Sequence, residues 1–125
     1  MYNYNEINTV HLEITQHCNA ACPMCDRNEN GGLDNQHIRD NLQELTLNDC
    51  IDIFPHDFIA QLKTMYMCGN LGDPISARDT LEVMQWFRDC NPDMWLSMNT
   101  NAGMQSAEWW GDLARVIVAE LDGIT

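Results

Sequence analysis

Val10-His11-Leu12-Glu13-Ile14-Thr15-Gln16-His17-Cys18-Asn19-Ala20-Ala21-Cys22-Pro23-Met24-Cys25-Asp26-Arg27 is the stretch of the chain on which the reading of the fold turns. Val10, Leu12 and Ile14 alternate with His11, Glu13 and Thr15, and a period of two predicts a strand with one face buried. Directly behind it, Cys18, Cys22 and Cys25 form a C-x3-C-x2-C run. With Pro23 and the following Gly31-Gly32, they make residues 17–30 read as a long functional loop. A strand that opens at its carboxyl end into a ligand-bearing loop suits a parallel α/β sheet.

The rest of the chain continues that pattern. Ile38, Leu42 and Leu45 recur at helical intervals, Thr46 and Asn48 are capping residues, and Pro55 interrupts, so one broken helix or two short ones are expected. Lys63 to Cys68 reads as a second, buried strand, ending in the turn formers Gly69-Asn70-Leu71-Gly72-Asp73-Pro74. Ser76 and Asp79 have capping-box spacing ahead of a helix through Leu81, Met84 and Phe87, which Asn91-Pro92 stops. Met94 to Met98 is a third strand, leading into Asn99-Thr100-Asn101-Ala102-Gly103. Ser106 can cap a third helix through Trp109, Trp110, Leu113 and Val116, and Val118 to Leu121 reads as a fourth strand ending at Asp122-Gly123. Alternating strands and helices predict a parallel sheet with right-handed crossovers, and every polar loop then lies at a strand's carboxyl end.

Composition bounds the partners. The chain has 125 residues, 45% of them apolar, enough for a single domain with its own core. Six basic against 19 acidic residues give a formal charge of -13, which repels nucleic acid and anionic membrane surfaces and otherwise serves solubility. No basic run followed by an apolar stretch opens the chain, and no apolar run is long enough to span a bilayer. Six cysteines without an export signal point to reduced thiols and a cytoplasmic location.

Three of those cysteines crowd into eight residues, a spacing that suits a metal better than separate disulfides. A 4Fe-4S cluster held wholly by protein takes four cysteines, so three leave one iron open to another ligand. The alternatives are a structural zinc site, with His17 as the nearest fourth ligand, or thiols that merely pack. No second knuckle of ligands is present in the sequence, which favours the cluster.

The motif Cys18-x3-Cys22-x2-Cys25 behind a first strand resembles the radical S-adenosylmethionine enzyme family, and the later loops follow in matching order. The resemblance implies that these cysteines hold a 4Fe-4S cluster whose open iron chelates S-adenosylmethionine. An electron from the cluster then cleaves that cofactor to a 5'-deoxyadenosyl radical, which abstracts hydrogen from a substrate. Met24 stands beside the last cysteine where the family commonly has an aromatic residue near the adenine. Gly72-Asp73-Pro74 is similar to the family's Gly-Gly-Glu-Pro stretch, which binds the cofactor's amino group, with Leu71 in place of the first glycine and Asp73 in place of the glutamate. Asn99 and Asn101 resemble residues that hold its carboxylate or ribose, and Asp122 is similar to positions near the ribose hydroxyls. As partners the resemblance implies a reductase or a flavodoxin- or ferredoxin-type electron donor. The substrate is left open, with a peptide among the candidates. The rival function is an iron-sulfur electron-transfer module without radical chemistry.

The expected architecture is therefore α/β, a partial (β/α) barrel of about four strands with outer helices and the site at the strands' carboxyl mouth. Family cores have about six strand-helix units, and the related eightfold barrel takes well over ~200 residues, so the chain reads as the N-terminal portion of a core. A continuation past Thr125 or a partner chain is expected to cover the last strand's edge. Cys50, Cys68 and Cys90 are expected to pack. The same holds for Trp86, Trp95, Trp109 and Trp110. His11, His37 and His56 show no partner in the sequence, and Arg27 is open to either a carboxylate or solvent.

Overall fold

The computed structural model describes residues 1–118. Its elements run β1 (Thr9–Leu12), α1 (Gln36–Asp40), α2 (Leu47–Ile53), α3 (His56–Gln61), β2 (Thr64–Met67), α4 (Thr80–Cys90), β3 (Trp95–Met98) and α5 (Ala107–Ile117), with short 3-10 turns at Tyr4–Glu6 and Pro74–Ser76. The strands form one parallel sheet in the order β1-β2-β3. In register, Thr9, Thr64 and Trp95 form one row, and His11, Tyr66 and Ser97 another. The α/β expectation is met at this level: an open three-stranded parallel sheet with helical crossovers. The predicted fourth strand, apart from Val118, and Asp122 lie outside the described residues.

The sheet is one-sided. Leu12 and Ile14, Met65 and Met67, and Leu96 point into a core completed by Ile59, Val83, Met84, Phe87, Leu113 and Val116 from the helices. The opposite face carries His11, Tyr66, Ser97 and Trp95, partly or fully exposed. Helices α2 to α5 contribute their buried residues to this one core, an arrangement compatible with a partial β/α fold. Trp95 departs from the packing expected of it. It is 70% exposed, because its strand position falls on the face that no described helix covers.

Local chemistry sets the element ends. Thr46 accepts from the Asp49 amide and Asp49 returns the bond to the Thr46 amide, a reciprocal cap on α2. These bonds hold the Asp49 carboxyl below its ordinary value. Ser106 accepts from the Trp109 amide and starts α5. Asp79, at the start of α4, turns its carboxylate to the Leu47 amide at 2.9 Å, satisfying an orphan donor at the mouth of α2. Ser76 belongs to the 3-10 turn and not to a box on α4. Ile38 is buried in α1, but Leu42 is 42% exposed, since α1 has ended at Asp40 and the chain runs extended beside the segment after β1. Among the described residues, no helix is long and apolar enough to cross a membrane.

Candidate functional site

Beyond β1 the chain stays extended, with Leu45 N–H donating to the Ile14 carbonyl and Gln16 N–H to the Gln43 carbonyl. It then enters the cysteine loop, which protein groups hold in shape. The Cys25 amide donates to the Cys22 carbonyl at 3.0 Å. The buried Asn28 donates its side-chain N–H to that same carbonyl at 3.2 Å, and its Oδ1 accepts from the Gly31 amide at 2.6 Å. Asn35 closes the far side, donating to the Asp26 carbonyl at 2.7 Å.

Arg27 is the largest anchor. It is 5% exposed, donates to the Gln16 carbonyl and, at 2.6 Å, to the Leu71 carbonyl, and pairs with Asp34 at 2.8 Å. One guanidinium thus ties the cysteine loop to the end of β1 and to the loop after β2. Burial of such a charge is tolerable because its donors meet carbonyls and a carboxylate. The sequence left its partner undecided. A usable signal was there: it is the only Lys or Arg before Arg39, in a stretch holding Asp26, Glu29 and Asp34.

The loop after β2 packs directly on this assembly. A Cβ on Gly72 would collide with the Thr15 carbonyl, so glycine is required there by close backbone approach. The Asp73 amide donates to the His17 carbonyl at 2.8 Å. Its carboxylate is 5% exposed and turns inward, accepting from the Ile75 amide at 3.1 Å, the Thr100 hydroxyl at 2.7 Å and the Asn101 amide at 2.7 Å. Asp73 is therefore the clasp between the loops after β2 and β3. Thr100 had no local signal for this part, since its partner lies far away in sequence.

The loop after β3 reaches back to the cysteines. Asn101 donates its side-chain N–H to Asn19 Oδ1 at 2.9 Å and stands 3.8 Å from Cys18 Sγ, which also accepts from the Ala20 amide at 3.4 Å. Ala102 and Gln105 hold positive φ of 55° and 79° in this loop, strained positions for side-chain-bearing residues. Asn99 has its side chain exposed and its amide bonded to the Met67 carbonyl. Met24 sits at the loop tip, 96% exposed.

Cys22 is exposed and Cys18 and Cys25 are partly buried, all as free thiols. Cys50 and Cys90 are buried in the core as expected, and burial next to Asp49 and Asp79 pushes the Cys50 thiol up to about 11. His17 faces Glu44 at 4.0 Å. On the open sheet face, His11 stacks on Tyr66 at 4.7 Å and bonds to the Cys68 carbonyl at 2.9 Å. Among the described residues, no three His, Cys, Asp or Glu side chains converge on a point where they could share one metal ion. A cubane makes a different demand, since each thiolate binds its own iron. Three free thiols on one anchored loop, one of them already taking two N–H groups at its sulfur, fit a cluster in donor type and number.

No family model, curated protein or solved structure matches the chain.

Proposed function

We propose that the chain is the N-terminal part of a radical S-adenosylmethionine enzyme core, with Cys18, Cys22 and Cys25 as ligands of a 4Fe-4S cluster. One observation carries the reading. The C-x3-C-x2-C loop leaves the carboxyl end of a strand in a one-sided parallel sheet, and the loops after the next two strands are hydrogen-bonded onto it, one by the Asp73 amide on the His17 carbonyl and the other by the Asn101 side chain on Asn19. A lone cysteine loop would have no need of that convergence. The chemistry a bound cluster supplies is one low-potential electron, which cleaves S-adenosylmethionine to methionine and a 5'-deoxyadenosyl radical for hydrogen abstraction.

The chain's own residues then divide the work. Arg27, Asn28 and Gly72 hold the cysteine loop against the sheet. Asp73, with three donors already on its carboxylate, serves the site by fixing the loops, and the cofactor's amino group is assigned to the turn it shares with Gly72. Asn99 has an exposed side chain at the strand mouth for the cofactor's carboxylate or ribose, and Met24 lies at the loop tip beside Cys25 for the adenine. A reductase or a flavodoxin- or ferredoxin-type protein would be the electron donor. The substrate is assigned to the uncovered sheet face that bears His11 and Tyr66.

The test is anaerobic reconstitution with iron and sulfide, reduction, and addition of S-adenosylmethionine, with product quantified by chromatography. The expected result is 5'-deoxyadenosine, abolished in Cys22→Ala. A reduced cluster that leaves S-adenosylmethionine intact would favour the electron-transfer reading instead.

A further inference from the structure

The amide of Asn101 is oriented by its surroundings. Its Oδ1 accepts from the Gly103 N–H at 2.7 Å, and a backbone N–H can only donate, so Nδ2 must face the other way. There its two hydrogens have two acceptors: Asn19 Oδ1 at 2.9 Å and Cys18 Sγ at 3.8 Å. The Asn101 backbone is pinned by the Asp73 carboxylate at 2.7 Å. A hydroxyl–carboxylate bond from Thr100 to the same group holds the residue before it. The residue is exposed, but these bonds fix its amide with a donor toward the sulfur.

We infer that Asn101 is a positioning residue of the metal centre, donating an N–H to the Cys18 sulfur and so setting the reduction potential of the cluster. The inference rests on the cluster reading above. Reduction adds negative charge that spreads onto the ligating sulfurs, and a donor aimed at one of them stabilises the reduced form more than the oxidised form. Removing it makes the cluster harder to reduce. The Ala20 amide supplies a second donor to the same sulfur at 3.4 Å, so the loss is partial.

The experiment compares the reconstituted full chain with Asn101→Leu, close in volume but without donors, and with Asn48→Leu, at an exposed position on α2, as control. In a redox titration followed by electron paramagnetic resonance, Asn101→Leu is expected to lower the ratio of reduced to oxidised cluster at a fixed potential by about three- to tenfold, tenfold being about 59 mV for one electron. Asn48→Leu is expected to leave it unchanged. Because the leucine variant can loosen the loop, a second measurement uses the unmodified chain: electron–nuclear double resonance with side-chain 15N-asparagine, where a weak nitrogen coupling is expected that Asn48→Leu keeps. An unchanged ratio in Asn101→Leu, or no such coupling in the unmodified chain, overturns the inference while leaving the cluster reading standing. Failure of the unmodified chain to take up iron and sulfide overturns both.

Discussion

Replacing Asp73 by alanine removes the acceptor on which the loops after β2 and β3 both depend. The carboxylate is buried and takes the Ile75 amide, the Thr100 hydroxyl and the Asn101 amide. Hydrogen bonds to a charged group each contribute about 1.5–3 kcal/mol, but bonds sharing one acceptor do not add fully. Thr100 and Asn101 can regain water partly once the loop loosens, whereas Ile75 is fully buried, and its amide then goes unpaired. The net loss comes to about 3–5 kcal/mol, a large part of the ~5–15 kcal/mol that holds a domain of this size. Asp73→Asn keeps the shape and one acceptor oxygen but turns an N–H toward the Asn101 amide, so about 2 kcal/mol is expected. Urea unfolding followed by circular dichroism should rank the unmodified chain above Asp73→Asn, and that above Asp73→Ala. Midpoints for both variants within the error of the unmodified chain would refute the clasp.

Gly72→Ala places a methyl group against the Thr15 carbonyl and the Gln16 backbone, and the loops must part at a cost of about 1–3 kcal/mol; an unshifted urea midpoint would contradict that contact. Arg27→Met strips donors from the Gln16 and Leu71 carbonyls and from Asp34, with about 3 kcal/mol lost; thermal unfolding checks it, and a melting point equal to the unmodified chain's would overturn the anchor. In the metal-free chain, iodoacetamide at mildly alkaline pH should label exposed Cys22 first and spare buried Cys50 and Cys90 until denaturant is added; peptide mass mapping reads this, and early labelling of Cys50 would speak against the core. The Cys50 thiol ionises near 9.0 when unfolded and about 11 when folded. The unfolded state therefore binds fewer protons in that window. Its stabilising contribution is full below pH 9 and is lost as pH rises toward 11, a slope that Cys50→Ala should flatten in pH-dependent unfolding.

The regular elements were legible because their signals are local. The alternation from Val10 to Ile14 marks the buried side of β1, Ser106 and Thr46 cap the helices they precede, and Pro55 separates α2 from α3. What stayed hidden depends on contacts distant in sequence. Asp73 reads as a cofactor contact, and its part in joining two loops shows only when Thr100 and Asn101 are brought beside it; Arg27 stays open to a carboxylate or solvent until Asp34 and the Leu71 carbonyl meet it. Leu42 sits at a helical interval from Ile38, yet the chain leaves the helix before reaching it, because Gln43 and Leu45 bond to the segment after β1. The three cysteines stand out by their spacing and their place behind a strand, whereas Asn101 resembles only a residue that holds the cofactor's carboxylate or ribose, and its turn toward Cys18 depends on contacts distant in sequence.

The account stands or falls on what the thiols of residues 18, 22 and 25 bind. Oxygen-free chain, loaded with iron and sulfide and then reduced, should hold about four irons and four sulfides per molecule. Its electron paramagnetic resonance signal should change shape when S-adenosylmethionine is added. Zinc uptake in place of iron, or a cluster signal indifferent to that ligand, would contradict it.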